Sequence, residues 1–453
     1  MIALVAALLA GLGALAVLLS RRWPRGACLA GVIALCAVTA AGVLAPVEGP
    51  LAMGGAYLVD EPLLRLWLSA LAGSLALLVL VTSLVAPAPG LPLLACAVVA
   101  VTALSLTLSE PGAALTLAAG CGILALAGAG SSWRGMFRQS AVVPAAAAGA
   151  VFLAPLAATG RETAISAEVI PAILLAGAVI LRLGVVPLHL LPLRTARTSP
   201  LSMLPLISVW APFLFGLLAV ALATTGPVAE LLQAPSARDA LAVVGGLTVV
   251  LATLAMLLQD DLGGLMGVHA IGDGALVLLA LAGGEAVLPA LVMWLLVSGL
   301  ARTALAAWAV AVSSRMGGRR IAETRDWIRR APLLLPGLVV PLAAGIGWPG
   351  SPSFEARWLI VEGAMPGTAA LLVAGTSMAL AAGYIRLVWA GLRAADESSV
   401  RPVTPRRGVT HWGAAGLVLA LGALALLTTA GFGVEGFTSA AAAASDWRPF
   451  EPR

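Results

Sequence analysis

Long apolar runs separated by short polar segments occupy most of this chain. A helix needs about 20 apolar residues to cross the hydrocarbon layer of a membrane, and roughly fourteen runs approach that length. They lie at 2–20, 27–45, 63–86, 91–108, 111–129, 140–158, 169–189, 201–224, 239–257, 262–282, 286–312, 332–364, 367–391 and 412–431. The runs are continuous and do not alternate with a period of two, which disfavours the strands of a membrane barrel. The pattern therefore predicts an all-α polytopic membrane protein with about 14 transmembrane helices.

The composition agrees with this prediction. Of the 453 residues, 61% are hydrophobic and 10% are charged, which is too much apolar surface for soluble cores. Cys28, Cys36, Cys96 and Cys121 fall inside predicted spans without the spacing of a metal site or a redox pair, so we expect them to serve in packing. The first span has no charged leader and no clear cleavage site, so we expect a retained helix.

The charges in the loops predict the orientation in the membrane. Positively charged residues collect on the cytoplasmic side. An N-terminus outside would place in cytoplasmic loops most of the clustered arginines, namely Arg21, Arg22, Arg25, Arg134, Arg138, Arg194, Arg197, Arg315, Arg319, Arg320, Arg325, Arg329, Arg330, Arg393, Arg401, Arg406 and Arg407. External loops would carry Asp60, Glu61, Glu110, Glu230 and Glu285. We predict that both termini lie outside a bacterial plasma membrane, and that the formal charge of +5 reflects topology and not nucleic-acid binding.

Two predicted spans are interrupted by glycine and proline. Span 169–189 contains Gly184 and Pro187, and span 332–364 is interrupted between Gly345 and Pro352. Interrupted spans at matching places in two halves indicate an inverted-repeat transporter whose site lies at the breaks. The alternative is coincidence, because proline is common in membrane helices.

The breaks predict how the single membrane domain at 1–453 is organised. The fourth span of each half is broken, which defines two inverted five-helix repeats at 91–224 and 239–391. N-terminal helices at 1–90, a last helix at 412–431 and an external tail at 433–453 complete the domain.

Every basic residue of the chain is an arginine, and Arg182, Arg302 and Arg357 lie within predicted spans. A charge near the bilayer centre is unfavourable by roughly several kcal/mol, so such residues usually face the protein interior and mark a path for ions or protons. The alternative for each is an arginine that snorkels to the surface or pairs with a neighbour to hold helices together.

Acidic and imidazole side chains within the spans are the candidate proton carriers, because arginine keeps its proton at any accessible pH. Asp273 follows His269 by one helical turn, where a carboxylate would stabilise the imidazolium ion and fix its tautomer. His189 follows Arg182 by seven residues and shares its helical face, although a hydrogen bond to a loop carbonyl is an equal alternative. Glu362 is a further candidate.

Three stretches are similar to motifs of a known family. Residues 182–189 resemble its Lys-x-x-x-x-Pro-Phe-His motif, residues 259–265 resemble Gln-x-Asp-Leu-Lys-Arg-Leu, and residues 349–358 resemble Pro-Gly-x-x-Asn-Phe-x-Gly-Glu/Lys-Phe. The family is that of the antiporter-like membrane subunits shared by respiratory complex I, the Mrp-type sodium/proton antiporters and membrane-bound hydrogenases. This chain resembles them over most of its length in the order and spacing of the motifs.

The resemblance implies a row of buried residues along which protons move in the family: a glutamate, two lysines, a histidine and a final lysine or glutamate. It places Arg182 at the first central lysine, Asp273 at the histidine, Arg302 at the next basic position and Arg357 at the final one. Charge is therefore kept at these positions, while the capacity to exchange protons is mostly lost.

Two members of the row are missing. The glutamate position falls near Ala119 or Gly120, and the bridging lysine position falls at Pro212 or Phe213. The fixed arginines would then act on the protonation of Asp273 and His269, which remain the candidate carriers together with His189, Glu362 and bound water.

The resemblance implies a subunit of a complex-I-type or related oxidoreductase that contributes to proton translocation with other membrane subunits and possibly redox subunits. An Mrp-type cation/proton antiporter subunit and a structural scaffold that does not pump are the alternatives. The chain has no Gly-rich nucleotide loop and no cluster of metal-ligand residues, so we expect no cofactor, no metal and no redox site of its own.

Overall fold

The protein is described from a computed structural model. The residues that the structure describes are 2–44, 51–53, 56–58, 62–108, 111–127, 146, 165–223, 231–347, 351–367, 370, 371, 373, 375, 381–393 and 411–430. The predicted span at 140–158 and the tail at 433–453 lie outside these ranges, apart from residue 146.

Helices dominate the first half of the chain. They are α1 (Ile2–Leu19), α2 (Pro24–Leu44), α3 (Pro62–Val85), α4 (Leu91–Thr107), α5 (Pro111–Ala127), α6 (Ile165–Leu183), α7 (Leu190–Thr198) and α8 (Ala211–Ala223). A 3₁₀ turn at Leu201–Met203 and a π turn at Leu206–Trp210 lead into α8. A short antiparallel hairpin, β1 (Leu51–Met53) and β2 (Ala56–Leu58), pairs Leu51 with Leu58, and the predicted all-α fold class is confirmed by the helices that form the rest of the described structure.

Helices also make up the second half. They are α9 (Pro235–Leu257), α10 (Leu262–Gly283), α11 (Leu288–Met316), α12 (Trp327–Arg330), α13 (Leu334–Ile346), α14 (Pro352–Ala364), α15 (Ala381–Leu392) and α16 (His411–Ala430). Short 3₁₀ turns at Glu285–Val287 and Ile321–Thr324 join them. Most described helices begin and end within a few residues of the predicted spans.

Six helical segments are long and apolar enough to cross a membrane: Pro24–Leu44, Arg65–Val85, Leu201–Ala223, Pro235–Leu257, Leu262–Gly283 and Glu285–Met316. The last two are buried on every side, and so is α8 at the end of the segment Leu201–Ala223. A helix that is hydrophobic all round belongs in the centre of a large bundle. The chain is therefore a multi-pass membrane protein with α10 and α11 at its core. The predicted total of about 14 spans stays a prediction.

The two central helices are enclosed by their neighbours. Helix α10 packs against α9, α7 and α14, and α11 packs against α3, α13 and α16. Helices α1 to α4 pack among themselves at the N-terminal end of the chain. The carboxylate of Asp261 accepts a hydrogen bond from the Gly264 amide at 2.8 Å and caps α10, which fixes where this core helix begins.

The predicted interruption of span 169–189 is present. Helix α6 ends at Leu183, and Gly184 adopts a φ of +69°, which favours glycine. A Cβ atom at Gly184 would also overlap the ring of Pro192. Because the chain turns here, His189 comes just before the next helix, α7, and does not share a helical face with Arg182, so the predicted shared face was wrong.

The predicted interruption of span 332–364 is present. Helix α13 ends at Ile346, Gly347 has a φ of +69°, and α14 starts at Pro352. The hydroxyl of Ser351 accepts a hydrogen bond from the Phe354 amide at 3.2 Å and caps α14. Both broken helices thus combine a glycine of positive φ with a proline that starts or precedes the next helix.

One contact between α11 and the π turn before α8 tests how tightly the core is packed. A Cβ atom at Gly299 would lie 2.7 Å from the ring of Trp210, whose indole N–H donates to Thr303 Oγ1 at 3.0 Å. We expect Gly299→Ala to lower the free energy of unfolding by about 1–3 kcal/mol because the ring must shift. Unfolding of the full chain in detergent would measure it.

The matched control is Gly177→Ala, since a Cβ there meets nothing within 4 Å. This substitution should leave stability unchanged or raise it by about 0.5–1 kcal/mol through helix propensity alone. Equal effects of the two substitutions would contradict the close approach at Gly299.

Candidate functional site

A buried ion pair joins the two central helices. Nε of Arg302 on α11 lies 2.6 Å from Oδ2 of Asp273 on α10, and Nη2 lies 2.5 Å from the same oxygen. The hydroxyl of Ser298, one turn before Arg302, also donates to this carboxylate. Both ionic side chains are at most 4% exposed. Asp273 therefore has three donors in a region that contains few other polar groups.

Arg302 has further acceptors besides the carboxylate. Its Nη2 donates to the backbone oxygen of His269 at 2.5 Å, and Nη1 lies 3.5 Å from that of Met266. Both carbonyls belong to α10. The guanidinium group is thus held against one face of α10 by a side chain and two backbone oxygens.

His269 has a different partner from the predicted one. Its Nδ1 lies 2.8 Å from the hydroxyl of Tyr384 on α15, and the two rings pack edge to face. Asp273 is occupied by Arg302 and Ser298, so its carboxylate does not bind His269 directly. The predicted direct pair of histidine and aspartate was wrong, because the carboxylate of Asp273 binds Arg302 on the neighbouring helix and His269 binds Tyr384.

Arg357 lies near this network at the second helix break. Its guanidinium carbon is 5.0 Å from the ring centre of Trp294, and Nη1 donates to the backbone oxygen of Ile346. The last carbonyls of a helix lack intrahelical partners, so this donor satisfies the end of α13. Trp294 lies eight residues before Arg302 on the same face of α11, and Arg357 interacts electrostatically with Asp273 and Arg302.

Arg182 is in a different environment at the end of α6. Its guanidinium lies where a Cβ atom of Gly122 on α5 would be. Nε and Nη2 of Arg182 are buried, and neither has a hydrogen-bond partner within the described ranges. Nδ1 of His189 is likewise buried without a described partner. These two residues form no common cluster with Asp273.

Of the seven predicted residues, the structure thus groups His269, Asp273, Arg302 and Arg357. Glu362 is half-buried at the C-terminal end of α14 and makes no hydrogen bond to these four in the described structure. Three contributing residues were missed: Ser298, Trp294 and Tyr384. Ser298 and Trp294 precede Arg302 at helical spacing, and Tyr384 is one of only two tyrosines in the chain.

Both helix breaks touch the neighbours of the ion pair. A Cβ atom on Gly274, next to Asp273, would lie 2.9 Å from the backbone oxygen of Leu183 at the end of α6. A Cβ atom on Gly345, near the end of α13, would lie 2.9 Å from Cβ of Ala301, next to Arg302. The two glycines therefore allow both broken helices to approach the ion pair closely.

A small cavity lies beside Arg302. It offers about 10 Å³ to the centre of a water molecule and is lined by Arg302, Tyr384 and Ser208, among others. This volume suffices for about one water molecule. Ser208 belongs to the π turn before α8, and its buried hydroxyl has no hydrogen-bond partner in the described part of the chain.

Residues 145–381 match the family model described as NADH:quinone oxidoreductase/Mrp antiporter, TM. No curated protein matches the sequence. Among solved structures, a chain of respiratory complex I from Thermus thermophilus is 21% identical, with a TM-score of 0.71 over 95% of this chain and 98% of that one. A chain of the Mrp complex from Dietzia sp. DQ12-45-1b is 15% identical, with a TM-score of 0.75 over 98% of this chain and 97% of that one. A chain of an archaeal membrane-bound sulfane sulfur reductase is 18% identical, with a TM-score of 0.73 over 97% of this chain and 99% of that one. These similarities support the same fold along nearly the whole chain.

The ion pair can be tested by a double-mutant cycle. Arg302→Gln would leave a buried carboxylate without its cation and should lower the free energy of unfolding by about 3–5 kcal/mol. The double variant with Asp273→Asn should lose less than the sum of the single variants, with a coupling energy of about 0.5–3 kcal/mol. Unfolding of the full chain in mixed micelles would measure all four proteins.

Arg329→Gln serves as the control. This arginine pairs with Asp326 at 3.8 Å, but its side chain is 70% exposed. Its removal should change stability by less than about 1 kcal/mol. Strict additivity of the Arg302 and Asp273 substitutions would refute a direct interaction between them.

Proposed function

The chain belongs to the NADH:quinone oxidoreductase/Mrp antiporter transmembrane family, and we propose that it is a membrane subunit of a complex-I-type or related oxidoreductase that contributes to proton translocation. The observation that carries this proposal is the polar network of His269, Asp273, Arg302 and Tyr384 inside an apolar core. Ionisable groups so far from water are rare in membrane helices and usually mark a path for ions or protons.

In this proposal Arg302 and Arg357 are fixed cations and Asp273 and His269 carry protons. Arginine keeps its proton, so the charge of the network changes only at the other groups. Asp273 must release at least one of its three donors before its Oδ2 can take up a proton. Arg302 can move away from this carboxylate oxygen and still donate to the backbone oxygens of Met266 and His269.

The cavity beside Arg302 extends this path toward the first half of the chain. A single water molecule there would lie between Tyr384, Arg302 and Ser208. Tyr384 already contacts Nδ1 of His269, so a proton could move between His269 and the water through its hydroxyl. Ser208 would connect this water with the π turn, a form of helix that is frequent at functional sites.

Arg182, His189 and Glu362 are assigned to outer parts of the same path. Arg182 and His189 flank the first break, where their own buried nitrogen atoms have no hydrogen-bond partner in the described structure. Glu362 lies beyond Arg357 on α14. We also propose two inverted five-helix repeats at 91–224 and 239–391, each with one break, in a bacterial plasma membrane with both termini outside. The proposed partners are other membrane subunits and, in an oxidoreductase, redox subunits that hold the cofactors.

Two alternatives have observations in their favour. Similarity to a chain of the Mrp complex from Dietzia, with a TM-score of 0.75, favours a subunit of a cation/proton antiporter. The closed ion pair, and an Arg182 that faces Gly122 with no acidic partner among the described residues, favour a scaffold that does not pump. The transported ion and the presence of redox partners distinguish the oxidoreductase subunit from the antiporter subunit, and the pumping activity distinguishes both from the scaffold.

Transport measurements test the proposed carriers. We expect Asp273→Asn to abolish proton translocation because the amide cannot take up the proton. Tyr384→Phe should slow it by about 100-fold or more, since 100-fold is about the lower limit for loss of a positioned proton donor. Dye-quenching assays of proton uptake in membrane vesicles, with rates normalised to assembled complex, would show both effects.

The matched control is Tyr57→Phe, which alters the other tyrosine of the chain, in the hairpin strand Ala56–Leu58. It should transport normally. Wild-type rates in a correctly assembled Asp273→Asn complex would remove Asp273 from the path and favour the scaffold.

The partner subunits distinguish the oxidoreductase from the antiporter. We expect the tagged full chain, purified from its native membrane in a mild detergent, to bring down iron–sulfur or flavin subunits. Mass spectrometry of the complex would identify them. Recovery of small membrane subunits alone, with sodium- or proton-gradient activity, would replace the first proposal with the antiporter.

A further inference from the structure

A large cavity lies at the end of the bundle where α9 ends and α10 begins. It has a volume of about 880 Å³ and opens to the surface. Residues from four parts of the chain line it: the end of α7, the junction of α9 and α10, the 3₁₀ turn at Ile321–Thr324, and α15. The loops that form it are among those predicted from their arginines to share the cytoplasmic side.

The lining of this cavity is strongly basic. Among the described residues it includes Arg197, Arg320, Arg325, Arg386 and Arg393, with two acids, Asp260 and Asp261. The acids are already engaged: Asp260 pairs with Arg386 at 3.0 Å, and Asp261 pairs with Arg319 at 3.4 Å while capping α10. The lining therefore carries a formal excess of three positive charges, which favours an anionic occupant.

The surroundings of the cavity indicate the kind of anion. On α9, exposed apolar side chains follow one helical face through Leu247, Leu251 and Leu254, and Leu258 at the cavity continues this row. On α15, which packs against α9, Ile385 and Leu392 flank Trp389, which itself lines the cavity. These faces are suited to acyl chains, and they lead into the basic cavity.

Trp389 marks the boundary between the two environments. Its side chain is 59% exposed, and the guanidinium carbon of Arg393 lies 5.4 Å from its ring centre. Tryptophan is enriched where membrane hydrocarbon meets the headgroups. An apolar strip, an interfacial tryptophan and a cluster of arginines thus follow one another from the hydrocarbon toward water.

We propose that this cavity binds the headgroup of an anionic phospholipid, with its acyl chains along the exposed faces of α9 and α15. The phosphate lies among Arg197, Arg320 and Arg393, and Arg386 holds the frame by donating to the backbone oxygens of Leu257 and Gln259. Basic cavities between transmembrane helices on the cytoplasmic side recognise such headgroups. The site is separate from the ion pair of Asp273 and does not depend on proton transport.

Binding of fluorescent phosphatidylglycerol to the full chain in mixed micelles tests the proposal. The wild type should bind it more tightly than phosphatidylcholine with the same acyl chains. Each arginine near an anionic headgroup contributes roughly fivefold in affinity, so Arg320→Gln with Arg393→Gln should weaken binding by roughly 30-fold. The control pair Arg21→Gln with Arg22→Gln, in the exposed turn between α1 and α2, should bind as the wild type does.

Three results would overturn the proposal: equal affinity for the two lipids, unchanged binding by the Arg320 and Arg393 variant, or full displacement of the lipid by millimolar inorganic phosphate. The last result would assign the cavity to a free anion. If the double variant does not fold, Arg393→Gln and Arg393→Lys replace it. The lysine variant should then retain more of the affinity, and equal loss in both would count against the proposal.

Discussion

The ion pair between Arg302 and Asp273 is the interaction on which the centre of this protein depends. Both groups lie on helices that are apolar on every side, where an unpaired charge is far less stable than in water. Each partner therefore requires the other, and the hydroxyl of Ser298 and the carbonyls of α10 supply the remaining hydrogen bonds. This requirement fixes how α10 and α11 face each other. Hydrophobic contact alone would not fix it, because apolar side chains of similar size pack in several registers.

The two helix breaks next to this ion pair also need polar partners. A break leaves carbonyl groups without intrahelical partners, which is tolerated inside a membrane only where protein or a polar cavity satisfies them. At the second break Arg357 donates to Ile346 and packs on Trp294, so one cation serves both the helix end and the field around Asp273. At the first break Arg182 is left with buried nitrogen atoms and no described acceptor. The two breaks therefore differ in whether their arginine has a described hydrogen-bond acceptor.

Much of the fold could be predicted from the sequence, because hydropathy is a local property and a helix that crosses a membrane must be apolar along its own length. The break after Gly345 was also evident from its glycines and prolines. The break at Gly184 was evident in the same way, from Gly184 and Pro187, but the helical face predicted to be shared by Arg182 and His189 was wrong because the helix ends at Leu183, before His189. Partner choice was harder still. The spacing of His269 and Asp273 favours a contact within one helix, but Arg302 on α11 and Tyr384 on α15 take the two side chains, and such tertiary contacts leave no periodic pattern.

The contacts around the pair bear on how a chain with fixed cations could still respond to its partners. Gly274 follows Asp273 and packs on Leu183, while Ala301 precedes Arg302 and packs on Gly345. Each member of the pair thus has a neighbour in contact with a different broken helix. A broken helix bends more easily than a continuous one, because fewer backbone hydrogen bonds resist the change. If either broken helix moves, its contact with Gly274 or Ala301 must open, or the adjoining ionic side chain must move with it. Arg302 has two carbonyl acceptors on α10 that remain when it leaves the carboxylate. Proton exchange at Asp273 would then be controlled by the position of an arginine whose own charge never changes.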